Sequence, residues 1–389
     1  MAVQDSSRSD PRADLITAGA ATAERDIDVV LVTGAGASRA FGVNGVPMPL
    51  MGDWSDHLVG KLGQRMGYLD ATGLHRGMSG EEFEARLGKF LQDVQAFRRI
   101  GGLLEPSVKF QDFGAGTQIM SAHGVMEQWH TQAVHHFTQV TDLIHESLYE
   151  LFADASVDLD AAAAAYQGLF GLLGVGSTSR LAYATTNYDT IGEHAIRRSG
   201  GLPDWGQPPT LERGGEARLV ISGLLAGLPR YVPVLHLHGR VGWFRRDDGT
   251  VYAADVVRHQ AGFGIPVVML PDPEKVYDQD DTIIAMWREF SDALARAKRV
   301  FVLGHSLNDN TLVRALAQNV SPFERIAFSV LGDEQNPPEP DSSAASVLSK
   351  IAQTFPSAAI IPMCFGRSAD EGSVGIRAWT EKLTVNGLL

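Results

Sequence analysis

Cysteine is almost missing from this chain: among 389 residues only Cys364 carries a thiol. A lone cysteine excludes an intrachain disulfide and a thiolate zinc cluster, and it fits a reducing cytoplasm. Cys364 sits in the apolar run 358–365, so a buried apolar role is expected for it rather than a nucleophile's. No apolar run approaches the roughly 20 residues that cross a bilayer, which argues against a membrane protein. The first 26 residues mix Asp, Arg, Ser and Ala without an apolar centre and read as a mobile tail, not a secretory signal. Basic charge is also short, with 33 Lys and Arg against 46 Asp and Glu and a formal net charge of −13. That balance disfavours direct nucleic-acid binding, because phosphate affinity comes from Lys and Arg displacing counterions. No internal repeat of about 20 to 50 residues is visible, which argues against a solenoid.

What is present is ordinary for a globular protein: 44% hydrophobic and 20% charged residues. The length exceeds one compact domain, so two domains or one domain with a large insertion are expected. The run 28–33, Asp-Val-Val-Leu-Val-Thr, ends in glycines as a buried parallel strand does. Similar runs occupy 181–186, 232–237, 300–303, 326–331 and 358–363, several of them followed by a helical pattern. This alternation predicts an α/β fold, a doubly wound, mostly parallel Rossmann-like sheet.

Between the first and second of these strands the texture changes to helical period, clearest over 128–152 and again over 158–173. The expected organisation is a tail at 1–26, an α/β domain from 27–70 and 178–389, and a large helical insertion at 71–177. The Gly- and Pro-rich stretch 200–216 and the polar stretch 333–343 read as surface loops. His123, His130, His135, His136 and His145 cluster in the insertion, but His130, His135 and His136 do not share one helical face cleanly and no H-E-x-x-H occurs, so packing or solvation is expected rather than a metal site.

Four segments at strand ends carry candidate chemistry. Thr33-Gly34-Ala35-Gly36-Ala37-Ser38 follows a strand and precedes a helix, where glycines admit a pyrophosphate and backbone N–H groups face it. It is not a dehydrogenase fingerprint, because Arg39 holds the place of the third glycine. Thr186-Asn187-Tyr188-Asp189 closes the second strand; an amide there holds a water or a ribose hydroxyl, and a carboxylate fixes neighbouring loops. His238-Gly239 closes a third, with an imidazole that titrates near neutrality, while His236 two residues earlier is expected to be structural. Gly304-His305-Ser306 offers further donors for phosphate or ribose, and Asn308 and Asp309 fit either ligand contact or the cap of a following helix.

In this order the segments resemble the sirtuin family and, more closely, the sirtuin-like domains of bacterial anti-phage defence proteins. That family carries a G-A-G-x-S loop, then G-I-P, T-Q-N-x-D, H-G and a late G-T/S-S segment. Here these stand as Gly34 to Ser38, Gly45-Val46-Pro47, Thr185 to Asp189 with Thr186 in place of Gln, His238-Gly239, and Gly304-His305-Ser306. The helical insertion lies outside the resemblance. Deacylating sirtuins also bear a zinc module with two C-x-x-C pairs, which a chain with one cysteine does not have, and Met48-Pro49-Leu50 replaces their Asp-Phe-Arg.

The resemblance therefore implies a zinc-free, NAD-cleaving enzyme that yields ADP-ribose and nicotinamide. Asn187, His238 and Asp189 are its implied catalytic residues. Gly34, Ala35, Gly36, Ser38, Pro47, Thr186, Gly304, Ser306 and Asp309 are its implied NAD contacts. An idle NAD-binding scaffold and an NAD-dependent deacylase or ADP-ribosyltransferase are the alternatives. Control of such an enzyme implies a homo-oligomer, a partner such as a HerA-type ATPase or an Argonaute-like protein, or both.

Overall fold

A computed structural model of the chain describes residues 27–49, 51–64, 72–80, parts of 82–93 and 132–152, and then 157–176, 180–206, 216–219, 230–246, 249–254, 265–269, 281–319, 325–331, 342–363 and 368–389. Its strands are β1 (Val29–Thr33), β2 (Leu181–Thr185), β3 (Leu202–Asp204), β4 (Glu216–Arg218), β5 (Tyr231–His236), β6 (Gly239–Arg245), β7 (Val251–Ala254), β8 (Ile265–Val268), β9 (Arg299–Leu303), β10 (Arg325–Leu331) and β11 (Ala359–Met363). The helices used below are α1 (Ala35–Ser38), α2 (Met51–Gly63), α3 (Leu159–Leu172), α4 (Ile191–Arg198), α5 (Asp281–Arg296), α6 (Asn310–Asn319), α7 (Ser343–Thr354) and α8 (Ala369–Val385).

Seven strands form one parallel sheet in the order β11-β10-β9-β1-β2-β5-β3. The sheet grows outward in both directions from β1, which is the doubly wound α/β arrangement. Strands β1 and β2 are buried at every position, as central strands covered on both faces must be, and this is why they read as unbroken apolar runs. Helices α4 and α8 each pack on α3, and α5 and α6 form a second pair. Helix α3 starts where the sequence suggests: Asp158 accepts a hydrogen bond from the Ala161 amide at 3.0 Å and caps it.

Contacts divide the chain at Met48 and Phe152, with the second compact unit drawn mainly from Pro49–Leu151. Within the second unit Trp54 of α2 meets Phe83 edge-on at 5.1 Å and donates its indole N–H to Ser147 at 2.8 Å. Within the α/β unit Tyr166 of α3 donates to the Ala37 carbonyl at 2.9 Å, and Phe170 packs on Tyr183 of β2. The described residues between 132 and 152 are helical, with Val140, Ile144 and Leu148 fully buried at helical spacing.

Stretch 200–216 is not only a loop, because it holds the edge strand β3. Pro203 disguises that strand, yet an edge position tolerates proline because one side of the backbone needs no partner. A second sheet, antiparallel in the order β4-β7-β6-β8, was not expected at all. An Asp-Gly pair at 248–249 between apolar alternations is its hairpin signal in the sequence.

Phe170 is fully buried between the rings of Tyr166 and Tyr183. Phe170→Ala is expected to lower unfolding free energy in urea by about 3 to 5 kcal/mol; a loss below about 1 kcal/mol would contradict this packing.

Candidate functional site

The parallel register sets Thr33 of β1 level with Thr185 of β2 and Leu303 of β9, and Thr185 level with His236 of β5. Four strands therefore end on one line, and the four candidate segments are the loops that leave it. Strand β1 lies between β2 and β9, where the connections run apart, and that switch point is where open α/β sheets bind ligands.

The glycine loop is closed by its neighbours. The amides of Gly34 and Gly36 donate to the carbonyls of Leu303 and Gly304, both at 2.9 Å, and the Ala37 amide donates to Gly34. A Cβ on Gly34 would lie 2.8 Å from the Gly304 carbonyl oxygen, and one on Gly304, whose φ is +66°, would lie 2.2 Å from the Ala37 nitrogen. These glycines let two backbones touch, and three of the loop's N–H groups are spent inside the protein. Ala35 is exposed, Pro47 is half-buried and Ser306 is exposed. Thr186 is buried with its amide 3.1 Å from the Thr33 carbonyl.

Ser38, Asn187 and Asp189 meet in one buried network. Ser38 donates its hydroxyl hydrogen to Asp189 Oδ2 at 2.7 Å and accepts from Asn187 Nδ2 at 2.8 Å. The same amide nitrogen donates to the Gly34 carbonyl at 3.0 Å. Both hydrogens of the Asn187 amide are committed, so Oδ1 is the side chain's acceptor. Asp189 Oδ1 accepts from the Ile191 amide at 3.0 Å, so this carboxylate joins the β1 loop to the start of α4.

His238 lies just beyond β5. Its carbonyl accepts from the Met269 amide at 2.7 Å, and the Met269 carbonyl accepts from the Tyr188 hydroxyl at 2.6 Å. The Val241 amide donates to the Tyr188 carbonyl, and the Leu237 amide to the Thr185 carbonyl. These bonds hold the loop bearing Asn187 beside the loop bearing His238. Gly239 adopts a φ of +80°, and a Cβ there would meet the Val267 carbonyl oxygen at 2.2 Å. The ring Nε2 of His238 is 2.7 Å from Asp309 Oδ2. Asp309 Oδ1 accepts from the amides of Thr311 and Leu312 at the head of α6, so this carboxylate is engaged by both oxygens with protein partners.

His236 turns to a different partner. Its Nε2 is 3.0 Å from Glu193 Oε1, and Arg240 binds the same carboxylate through Nε at 2.6 Å and Nη2 at 3.2 Å. The Arg240 guanidinium also lies 4.9 Å from the centre of the Trp205 ring, and Trp243 meets His236 edge-on. Burial disfavours charge on Glu193, but Arg240 and then His236 outweigh it and hold the carboxyl far below the usual range. Burial likewise pushes the His236 imidazole down despite Glu193, so the ring is neutral. Sequence reading gave His236 a structural part, as found, but missed Glu193 and Arg240. A carboxylate inside the apolar face of α4, four residues before Arg197, was the available signal.

His135 is engaged by Gln139 at 2.9 Å. His123, His130, His136, His145 and Cys364 lie outside the described residues. Among the described residues no cluster of three or more His, Cys, Asp and Glu side chains is placed to hold a metal ion, and no helix is long and apolar enough to cross a membrane.

Comparison with known proteins finds no matching family model and no matching curated protein. Among solved structures the chain is similar to a Sir2 homologue in complex with NAD, at 12% identity and a TM-score of 0.35, covering 91% of this chain and 90% of that one. It is also similar to a mutant Sir2 homologue in complex with ADP-ribose, at 11% identity and a TM-score of 0.36, covering 93% and 96%. TM-scores this low leave family membership and activity unassigned.

Acid should loosen this region. Glu193 and His236 both hold protons less tightly when folded than when unfolded, so the stability they contribute is whole above the ordinary histidine value of 6.5 and is lost as pH falls below it. The melting temperature is expected to drop between pH 7 and pH 5, and less steeply in His236→Gln; equal slopes would contradict the assignment. At pH 7 Glu193→Gln, which takes the carboxylate charge away from the buried Arg240 contact, should cost about 3 kcal/mol or more in urea unfolding.

Proposed function

We propose that the carboxyl-edge site binds NAD and cleaves its nicotinamide–ribose bond with water, giving ADP-ribose and nicotinamide. The observation that carries this reading is the orientation of Asn187. With both amide hydrogens held by Gly34 and Ser38, its Oδ1 takes a hydrogen from a water or a ribose hydroxyl and cannot donate one. An acceptor fixed in a buried network is suited to orienting a nucleophilic water, because its position costs no rearrangement when the reaction occurs.

In the step proposed, the water oxygen bonds to the ribose C1′ as the C1′–nitrogen bond breaks. The electron pair of that bond goes to the nicotinamide nitrogen, which leaves as a neutral molecule. His238 accepts a proton from a ribose hydroxyl or from the water and passes it to solvent. Asp189 keeps Ser38 and Asn187 in place. The adenosine end and the phosphates are assigned to the outer loop positions Ala35, Pro47 and Ser306, since the amides of Gly34, Gly36, Ala37 and Gly304 are already used.

Hydrolysis is favoured over deacylation by the sequence itself. The zinc module that helps to form the acyl-peptide groove in deacylating sirtuins needs four cysteines, and this chain has one. Unchecked cleavage would exhaust a cell's NAD, so the reading includes a role in anti-phage defence in the cytoplasm, under control of self-association or of a HerA-type ATPase or Argonaute-like partner.

The test is incubation of the purified chain with NAD alone and with NAD plus an acyl-lysine peptide, with nicotinamide and ADP-ribose followed by chromatography. Equal amounts of both products from NAD alone are expected, and Asn187→Ala and His238→Ala should each reduce release by about 100-fold or more. Release only with the peptide would make the chain a deacylase, and undiminished release from both variants would refute the site.

A further inference from the structure

We infer that Asp309 is a positioning residue that fixes the tautomer and orientation of His238 while it starts helix α6, an inference that rests on the hydrolase reading. Sequence reading placed Asp309 among the NAD contacts or at a helix cap. Its side chain is 3% exposed, and its two oxygens have separate tasks. Oδ1 accepts from the Thr311 amide at 2.9 Å and the Leu312 amide at 3.2 Å, which caps α6. Oδ2 lies 2.7 Å from His238 Nε2, the length of a charge-assisted hydrogen bond.

The chemistry of the pair decides where the proton resides. An ionised carboxylate only accepts, so a neutral His238 must carry its hydrogen on Nε2 and its lone pair on Nδ1. Nδ1 is therefore the nitrogen that takes a proton from substrate. The same carboxylate stabilises the imidazolium formed on proton transfer, without being protonated itself. The carboxylate is held by two backbone amides of α6, so the ring inherits the position of a 10-residue helix and not that of a flexible side chain. On the other side of the loop the Met269 amide holds the His238 carbonyl, so backbone and ring are fixed by independent elements.

Capping and ring-holding are separable by substitution. Asp309→Ser keeps a good helix cap but its hydroxyl is too short to reach the ring. Asp309→Asn keeps the cap and the reach but lacks the charge. Histidine-labelled protein, with the His238 signal assigned by its loss in His238→Gln, reports the tautomer by nitrogen NMR without substrate, so the pair is decided whether or not the chain cleaves NAD. The native ring is expected as the Nε2–H tautomer and as a mixture in Asp309→Ser. In NAD turnover both Asp309 variants should lose about 10- to 100-fold in kcat with KM changed less than about threefold. An Nδ1–H tautomer in the native protein, an unchanged tautomer in Asp309→Ser, or full turnover in that variant would overturn the inference. Failure of the hydrolase reading shows separately, as absence of nicotinamide release from the native chain with its Nε2–H tautomer intact.

Discussion

Ser38 receives a hydrogen from Asn187 and gives its own to Asp189, and the chemistry of the carboxyl edge depends on that direction. An ionised Asp189 can only accept, so Ser38 must donate to it and keep its lone pairs for Asn187. Asn187 must then turn its nitrogen inward and its oxygen outward. All three side chains are buried, where leaving a polar group unsatisfied costs about 1 to 3 kcal/mol, so the reverse arrangement is disfavoured. One acidic side chain at 189 thus fixes the polarity of an amide two residues earlier in the chain.

The glycines on the same edge act by contact. Gly34, Gly36 and Gly304 let two strand-end loops lie backbone to backbone, with amide and carbonyl groups paired between them. The paired amides and carbonyls, and not the glycines themselves, hold the two loops together. The Glu193, Arg240 and His236 cluster supports β5 from beneath in a similar way, since a buried carboxylate shared by a guanidinium and an imidazole is costly to break from either side. His236 and His238, two residues apart, are thereby given unlike tasks, one inside an ion cluster and the other at the strand's mouth against Asp309.

Much of this was legible in the residues. The central strands announced themselves as β-branched runs because parallel strands are buried on both faces, and Asn187, Asp189 and His238 stood out as candidates because polar residues at the carboxyl ends of such strands are seldom there for packing. What pattern reading could not supply was partnership. The Ser38 to Asp189 bond spans 151 residues and the His238 to Asp309 bond spans 71, so no local spacing reveals either. The contact between the glycine loops was hidden for a related reason: a glycine admitted by a phosphate and one admitted by another backbone look alike in sequence. The unit boundary at Met48 was hidden because Trp54 and Phe83 commit α2 to the helical unit through contacts distant in the chain.

The central claim is spatial: the Asn187 oxygen and the His238 ring border one ribose of a dinucleotide at the end of β1. A crystal structure of the chain with a non-cleavable carbocyclic NAD analogue measures this most directly. The account predicts the nicotinamide-side ring within hydrogen-bond reach of Asn187 Oδ1 and His238 Nδ1, with the Ser38, Asn187 and Asp189 bonds unchanged. An analogue bound away from these two side chains, or a bound state in which Asn187 has turned its nitrogen outward, would contradict it.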